Sequence, residues 1–561
     1  MKKTLILLLF TCSIYSQNEY PQDYFQNPLD ITLVLSGTFG ELRSSHFHAG
    51  LDIKTQQRQG LKVYASAEGY VSRIKVSHYG YGKALYITHP NGYTTVYGHL
   101  QKFSDKIEKF IKECQYEKES FEVEVFPSTK ELLVTAQEVV AYSGNTGGSG
   151  GPHLHFEIRD NQERPINPML FGIDVKDTKQ PFVSAAYAYP KDENAVINGK
   201  NQRVPLRLIP QKNGSYEAEE ITAYGNIGFG ITSYDKQDLA PNNNGVSNIQ
   251  TFFNGNKSLE IDFKRFSFDE SKHIKRLIDY GYFKEKKSRI QKLFIEKNNP
   301  LSLYKDAYDN GYVSIEDSTS SVYKVRIRDY KNNETWVNIP ITGRYKKIDA
   351  DLEDKSNKTL INSNQYTELK SGHISANFSE NTVYDDVYID FNVKSDTIQL
   401  HTDNIPLQKN FYINYDLSNY KSEHLDKIFI ARLYGYYKKP SYVTTRRKGN
   451  VLSAGSKTFG TYALAIDTIA PTIKPTNFQD KKWLSKYRYL KVKIDDDLSG
   501  ISKYRATVNG KWILMEYDYK TKMLVHDFND NVVNDTKNDL KIIVTDNVGN
   551  NSTFEATFFR K

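Results

Sequence analysis

The sequence predicts a mainly β protein of several domains, and three observations carry that expectation. Aromatics make up 13% of residues, with 41 Tyr against only 4 Met, a usage that favours strands. Short alternating runs are divided by turn residues. Ala84-Leu85-Tyr86-Ile87-Thr88 and Tyr93-Thr94-Thr95-Val96-Tyr97 flank His89-Pro90-Asn91-Gly92, and Asn-Gly between two such runs is a hairpin signal. Finally, two distant segments share their openings and endings. Asp177-Thr178-Lys179-Gln180-Pro181 resembles Asp467-Thr468-Ile469-Ala470-Pro471, and the stretch from Val325 to Asn333 resembles that from Ile542 to Asn550. A proline-marked opening strand and a closing strand that runs into an Asp/Asn/Gly turn suit sandwich domains of about 90 residues. At roughly 150 residues per domain, a chain of 561 residues should hold several.

Taken in order, Met1-Lys2-Lys3 precedes an apolar run from Leu5 to Phe10 and small residues ending at Ser16. This is the layout of a secretory signal peptide over residues 1–16, so the chain is expected in the periplasm or at the envelope surface. Lipidation at Cys12 is disfavoured by the Phe10-Thr11 before it. Residues 17–175 read as a compact antiparallel β unit with one short helix from Ser104 to Glu113, where Ile107, Phe110 and Ile111 fall at helical spacing. Residues 177–345 read as a sandwich domain with a helical insertion marked by Ile274, Leu277 and Ile278, then Ile290, Leu293 and Phe294. Residues 350–465 read as a third β domain, alternating from Val387 to Phe391. Residues 467–561, with an internal turn from Asp497 to Ile501, look like the immunoglobulin-like modules of bacterial surface proteins.

Composition excludes several classes. Lys and Arg exceed Asp and Glu by 75 − 67 = 8, a charge too dilute for a nucleic-acid partner. Two Cys rule out a disulfide scaffold and a Cys-based zinc site. No run past the leader is apolar enough to span a membrane.

The chemistry lies in the histidines. Of 12 in the chain, seven fall between His46 and His155, where even scatter would leave about two. Neutral imidazole is the commonest metal ligand and a general base near neutral pH. His48-Ala49-Gly50-Leu51-Asp52 can converge a nitrogen and an oxygen across the Gly50 bend. Tyr97-Gly98-His99-Leu100 ends a strand. In Gly151-Pro152-His153-Leu154-His155, His153 and His155 share one face of a strand, and one of them binding would leave the other free as a base. Two histidines, one carboxylate and an open position make a catalytic zinc arrangement. The glycine-rich run from Ser143 to Gly151 reads as a loop beside it and lacks the Gly-Lys-Ser/Thr ending of a phosphate loop. His46, His78 and His89 are read as ordinary core or surface residues.

Together these motifs resemble the LytM/lysostaphin-type zinc endopeptidases over roughly residues 30–172. The resemblance implies an antiparallel β-groove fold, Zn2+ on His48, Asp52 and His155, and His99 with His153 as the catalytic pair that stays off the metal. It also implies hydrolysis of peptide cross-links in peptidoglycan, with other envelope proteins as partners. The alternative is a catalytically silent, wall-binding activator of another hydrolase. Two departures stand out. A longer insert with the helix and Cys114 lies between His99 and Ser143, where it is expected to remodel the groove wall, and Gln137 stands where the family usually has glycine. No catalytic constellation follows residue 175, so the later β domains are expected to position or gate the site. A fragment ending near Lys176 is expected to keep the metal.

Overall fold

The computed structural model describes residues 19–347 and 355–561. The leader at 1–16 with Cys12, and residue 350 at the expected start of the third domain, lie outside the described residues. The protein is mainly β. Strand alternation in the first part of the chain becomes one antiparallel sheet. Its main strands are β1 (Leu35–Gly37), β2 (Leu51–Lys54), β3 (Gly69–Val76), β4 (Lys83–Thr88), β5 (Thr94–Leu100), β6 (Val123–Val125) and β7 (His153–Arg159). They lie in the order β1-β2-β7-β5-β4-β3-β6. The hairpin between β4 and β5 turns at Gly92, φ +85°, as Asn-Gly predicts. The last of these strands in sequence, β7, inserts between β2 and β5, and this brings the three histidine motifs side by side. His155 lies opposite Asp52 on β2 and opposite Gly98 on β5.

The helix α1 (Asp105–Glu117) is longer than the sequence suggests and buries Ile107, Ile111 and Gln115. Ser104 occupies the N-cap position but makes no side-chain capping bond. Glu108 instead accepts the Phe103 N–H at 2.9 Å. Gln137 takes φ +62°, so the left-handed backbone that suits glycine persists here without one.

Beyond residue 175 a thirteen-stranded sheet forms between Phe182 and Gly343. The expected helical stretch within it is only half right. Short helices span Phe268–Ser271, Ile274–Leu277 and Tyr280–Lys286, but Ile290, Leu293 and Phe294 are not helical. Gln291–Lys292 pairs as a strand with Gly230 and Ile231. Glycines explain the difference: a Cβ on Gly228 would come within 2.4 Å of the Phe294 ring, and one on Gly230 within 2.8 Å of Ile290. Those notches seat Ile290 and Phe294 against the sheet, and their spacing of four mimics a helix.

One buried apolar cluster takes in residues between Tyr20 and Ile341 together with Leu514 of the last region. Phe47 meets Phe266 at 5.4 Å and Phe263 at 6.1 Å between ring centres. The core of the first sheet therefore continues into the second region. Two five-stranded sheets between Thr367 and Ile466 bury a separate cluster, and four- and five-stranded sheets between Thr472 and Phe559 bury a third.

The last of these regions folds back on the first. Asp530 receives hydrogen bonds from Lys112 and, at 2.9 Å, from Tyr116 of α1, and Trp512 packs edge-on against Tyr116 at 5.2 Å. The insert between His99 and Ser143 thus serves as a dock for the end of the chain.

Candidate metal centre

Each functional side chain is aimed by a backbone feature. Gly50 lets the chain ahead of β2 lie against β7, since a Cβ there would meet the Phe156 carbonyl oxygen at 2.2 Å. Gly98 leaves room beside His155, whose Cβ would be 3.3 Å from a Cβ at that position. A bulge in β5 sets Gly98 and His99 against the single residue Ala84, because Tyr97 pairs with Leu85 and Leu100 with Lys83. His99 takes φ +59° there, and such bulges re-aim side chains.

Three residues converge. His48, Asp52 and His155 each offer one donor atom, all within 4.8 Å of one another. Asp52 Oδ1 lies 2.9 Å from His48 Nε2 and 2.9 Å from His155 Nδ1, and those two nitrogens are 3.2 Å apart. Hydrogen bonds on the far side of each ring fix which nitrogen faces inward. His48 Nδ1 donates to the Thr38 carbonyl at 2.8 Å, and His155 Nε2 donates to Glu157 at 2.7 Å. Once their protons leave, the inward nitrogens can offer lone pairs beside one carboxylate oxygen, an arrangement that fits a shared cation about 2 Å from each. Glu157 is fully buried and is itself held by Arg159 Nε at 2.6 Å and by the Tyr81 hydroxyl. A carboxylate behind a histidine in this way orients a metal-binding ring.

The electrostatics favour a cation. Burial works to raise the Asp52 carboxyl, but the facing His48 and hydrogen bonds from three histidines hold it well below the usual range. Arg43 adds a contact at 3.1 Å to its second oxygen. Burial works to lower the His155 ring, yet hydrogen bonds to Asp52 and Glu157, and then their charges, hold it up at about 9. A proton there occupies the field that would otherwise attract a metal ion.

His99 and His153 face the same space, with ring centres 4.7 Å apart. His99 Nδ1 donates to the Thr146 carbonyl at 2.9 Å, and His153 Nδ1 donates to the Gly151 carbonyl at 2.9 Å. Both acceptors lie in the glycine-rich loop. His153 Nε2 comes to 3.4 Å from Asp52 Oδ1. Burial, then the nearby His155 and His153, pushes the His99 pKa down to about 3. All five expected site residues therefore meet in one place. His46 is exposed, His78 stacks on Phe121, and His89 is buried between the Glu68 carbonyl and Thr95.

The sequence reading missed Thr38, Arg43, Tyr81 and Glu157. Glu157 carried a usable signal, because it continues the alternation of His153 and His155 on β7. Tyr81 and Arg43 reach the site from loops and carried none. Thr38 also links the centre to the second region: its hydroxyl accepts the Gly245 N–H at 2.9 Å.

Residues 46–116 match the profile of peptidase family M23. The first domain of this chain is thus similar to that family over this stretch. The matched stretch holds His48, Asp52 and His99, while His153 and His155 lie beyond it. The M23 domain is also similar to curated proteins. A DD-carboxypeptidase/endopeptidase Mpg of Neisseria meningitidis serogroup B is 28% identical over 195 residues, 35% of this chain and 36% of the relative. The peptidoglycan DD-endopeptidase ShyA of Vibrio cholerae is 29% identical over 154 residues, 28% of each chain. The chain thus spans about a third of the length of the curated relatives it matches. Among solved structures, a zinc-containing peptidase from Vibrio cholerae is 26% identical, covers 28% of this chain and 41% of its own, and has a TM-score of 0.20. Separately, residues 358–467 match a Zu5-like domain. The M23 domain and its donor set of two imidazoles and one carboxylate agree on Zn2+ as the metal.

Proposed function

We propose that this protein is an exported zinc metalloendopeptidase that hydrolyses peptide cross-links of peptidoglycan. His48, Asp52 and His155 hold the metal, and His99 and His153 handle protons. The observation that carries this reading is the division of labour among the histidines. His48 and His155 set their inward nitrogens on Asp52 Oδ1 at 2.9 Å each, whereas His99 and His153 have Nδ1 tied to carbonyls of the glycine-rich loop, and His153 Nε2 stands farther from that oxygen at 3.4 Å. When bound, Zn2+ supplies Lewis acidity toward a scissile carbonyl and makes water a nucleophile near neutral pH. With Nδ1 donating to Thr146, His99 presents Nε2 as its basic atom, and burial keeps that ring neutral. His153 is oriented in the same sense by Gly151 and presents Nε2. One Nε2 takes the proton from water, and an imidazolium Nε2–H returns it to the departing amine. Glu157 and Thr38 hold the rings of His155 and His48 so that these remain ligands.

The test uses the full-length, zinc-loaded protein with purified peptidoglycan. Release of peptide ends from cross-links, abolished by a chelator and restored by Zn2+, is the expected result. Absence of release despite bound zinc would favour the silent activator instead.

A further inference from the structure

The two Asp-Thr-x-x-Pro segments play no part in the zinc centre, yet each anchors a cluster of three aspartates, two of them buried and one half-buried. In the second region Asp177, Asp235 and Asp329 place one carboxylate oxygen each within 4.8 Å of the others, and in the last region Asp467, Asp496 and Asp546 do the same. The members come from matching places. Asp177 and Asp467 open their regions. Asp235 follows the strand Ile221–Tyr234, and Asp496 follows Tyr489–Asp495. Asp329 follows the strand Ser320–Arg328, and Asp546 ends Lys537–Asp546. The supports match as well. Asn333 donates its N–H to Asp329 at 2.9 Å, its side-chain amide to the same carboxylate at 2.8 Å, and to the Asp177 carbonyl at 3.4 Å. Asn550 makes the same three bonds to Asp546 and the Asp467 carbonyl, at 2.8, 2.7 and 2.9 Å.

Each cluster also contains a buried polar atom with nothing to bond. Asp235 is 2% exposed, and its Oδ1 has no hydrogen-bond partner. Ser499 is 2% exposed with an unpartnered Oγ, and its own N–H bonds Asp467 Oδ2 at 3.0 Å. Asp496 Oδ1 is likewise buried and unpartnered. Among the described residues no Lys or Arg forms an ion pair with any of the six aspartates. Lys179 donates to the Gln237 carbonyl at 3.1 Å, and Lys427 donates to the Val548 carbonyl at 3.2 Å and pairs with Asp426 at 3.4 Å. Burial, then the charges of Asp177 and Asp329, pushes Asp235 up to about 8. Such a group is costly to bury without a positive partner.

We infer that the two clusters are a matched pair of Ca2+ sites, one at the entry joint of each repeated β region. The donors are all oxygens, which suits a hard cation and not zinc. Ca2+ accepts six to eight such oxygens in irregular geometry, whereas Mg2+ demands a near-octahedral shell and keeps its waters. The placement gives the sites a task. Asp177 lies where the chain leaves the M23 domain, and the Asp467 N–H bonds the Lys427 carbonyl of the third region at 3.2 Å. Filled sites fix these joints, and with them the seat of the last region on the first.

The test is a titration of the full-length, zinc-loaded protein, freed of alkaline-earth ions, with CaCl2. Two equivalents are expected to bind in isothermal calorimetry, with a rise of several degrees in thermal midpoint. MgCl2 at the same concentration should give a much smaller response. Asp235→Asn and Asp546→Asn should each remove one equivalent, with zinc content unchanged. A folded wild-type protein that binds no Ca2+ at millimolar concentration would overturn the proposal. So would variants that keep both equivalents, or an equal response to MgCl2. The wild-type titration decides the matter even where a variant fails to fold, and the zinc content shows separately whether the metal centre is intact.

Discussion

His99 is the residue where backbone and chemistry meet most directly. Its φ of +59° is a conformation that costs a non-glycine residue roughly 1–3 kcal/mol, and the bulge in β5 maintains it. What that strain supports is a ring facing His153 instead of the sheet interior. The convergence of His48, Asp52, His99, His153 and His155 was legible because their motifs are local and their types are rare. Glu157 was legible in principle from its alternation with His155, but a carboxylate on a strand has a common use on the surface. Tyr81 and Arg43 were not legible, since only the tertiary fold brings them near. His89 shows the other fate of a histidine. It is 3% exposed, and burial lowers its pKa from 6.5 to about 4. The unfolded chain then binds the extra proton between those values, so the stability due to a neutral His89 is present above 6.5 and is lost as pH falls through about 4. The span corresponds to about 3 kcal/mol. His89→Gln should therefore be less stable near pH 7 but show a flatter fall between about pH 6.5 and pH 4 in denaturant titrations. Parallel curves for the two proteins would rule this out.

Among the elements, the turn between Glu516–Asp518 and Met523–Asp527 makes the most consequential contact. Lys520 donates to the carbonyls of Asn145 and, at 3.2 Å, Ser149. Tyr519 reaches the Gly147 carbonyl at 3.4 Å and packs on Tyr79 at 4.8 Å. These carbonyls belong to the loop that holds His99 and His153. Releasing it blurs both rings while leaving His48, Asp52 on β2 and His155 on β7 untouched. Lys520→Ala is expected to keep zinc and to lower kcat on a soluble cross-linked peptide by about 10-fold. Unchanged kcat, or loss of zinc, would contradict that role. The sequence showed the repeated openings and endings of the second and last regions, because prolines and Asp/Asn turns are local signals. It misjudged Ile290 to Phe294, because glycines on a distant strand decide how that segment packs. It showed nothing of the hairpin's contact, which joins residues far apart in the chain.

For the whole molecule, the shared core changes what the later regions do. Phe39 meets Phe266 at 5.1 Å, and Phe47 meets Phe263 and Phe266, so cutting the chain near Lys176 exposes side chains that are buried in the intact protein. Losing the packing of even one large buried aromatic costs about 3–5 kcal/mol, against a typical domain stability of about 5–15 kcal/mol. A fragment ending at Lys176 should thus lack a cooperative unfolding transition, in contrast to the expectation from sequence that it would keep the metal. A sharp transition in that fragment would show that the first sheet folds alone. No helix among the described residues is long and apolar enough to cross a membrane. What unites the scales is the claim that His48, Asp52 and His155 hold zinc while His153, on the same strand face as His155, does not. The most direct measurement is the zinc content of purified, folded His155→Ala and His153→Ala full-length proteins by atomic emission. The account predicts that His155→Ala is stripped of zinc and that His153→Ala retains a full equivalent. A full equivalent in His155→Ala, or none in His153→Ala, would contradict it.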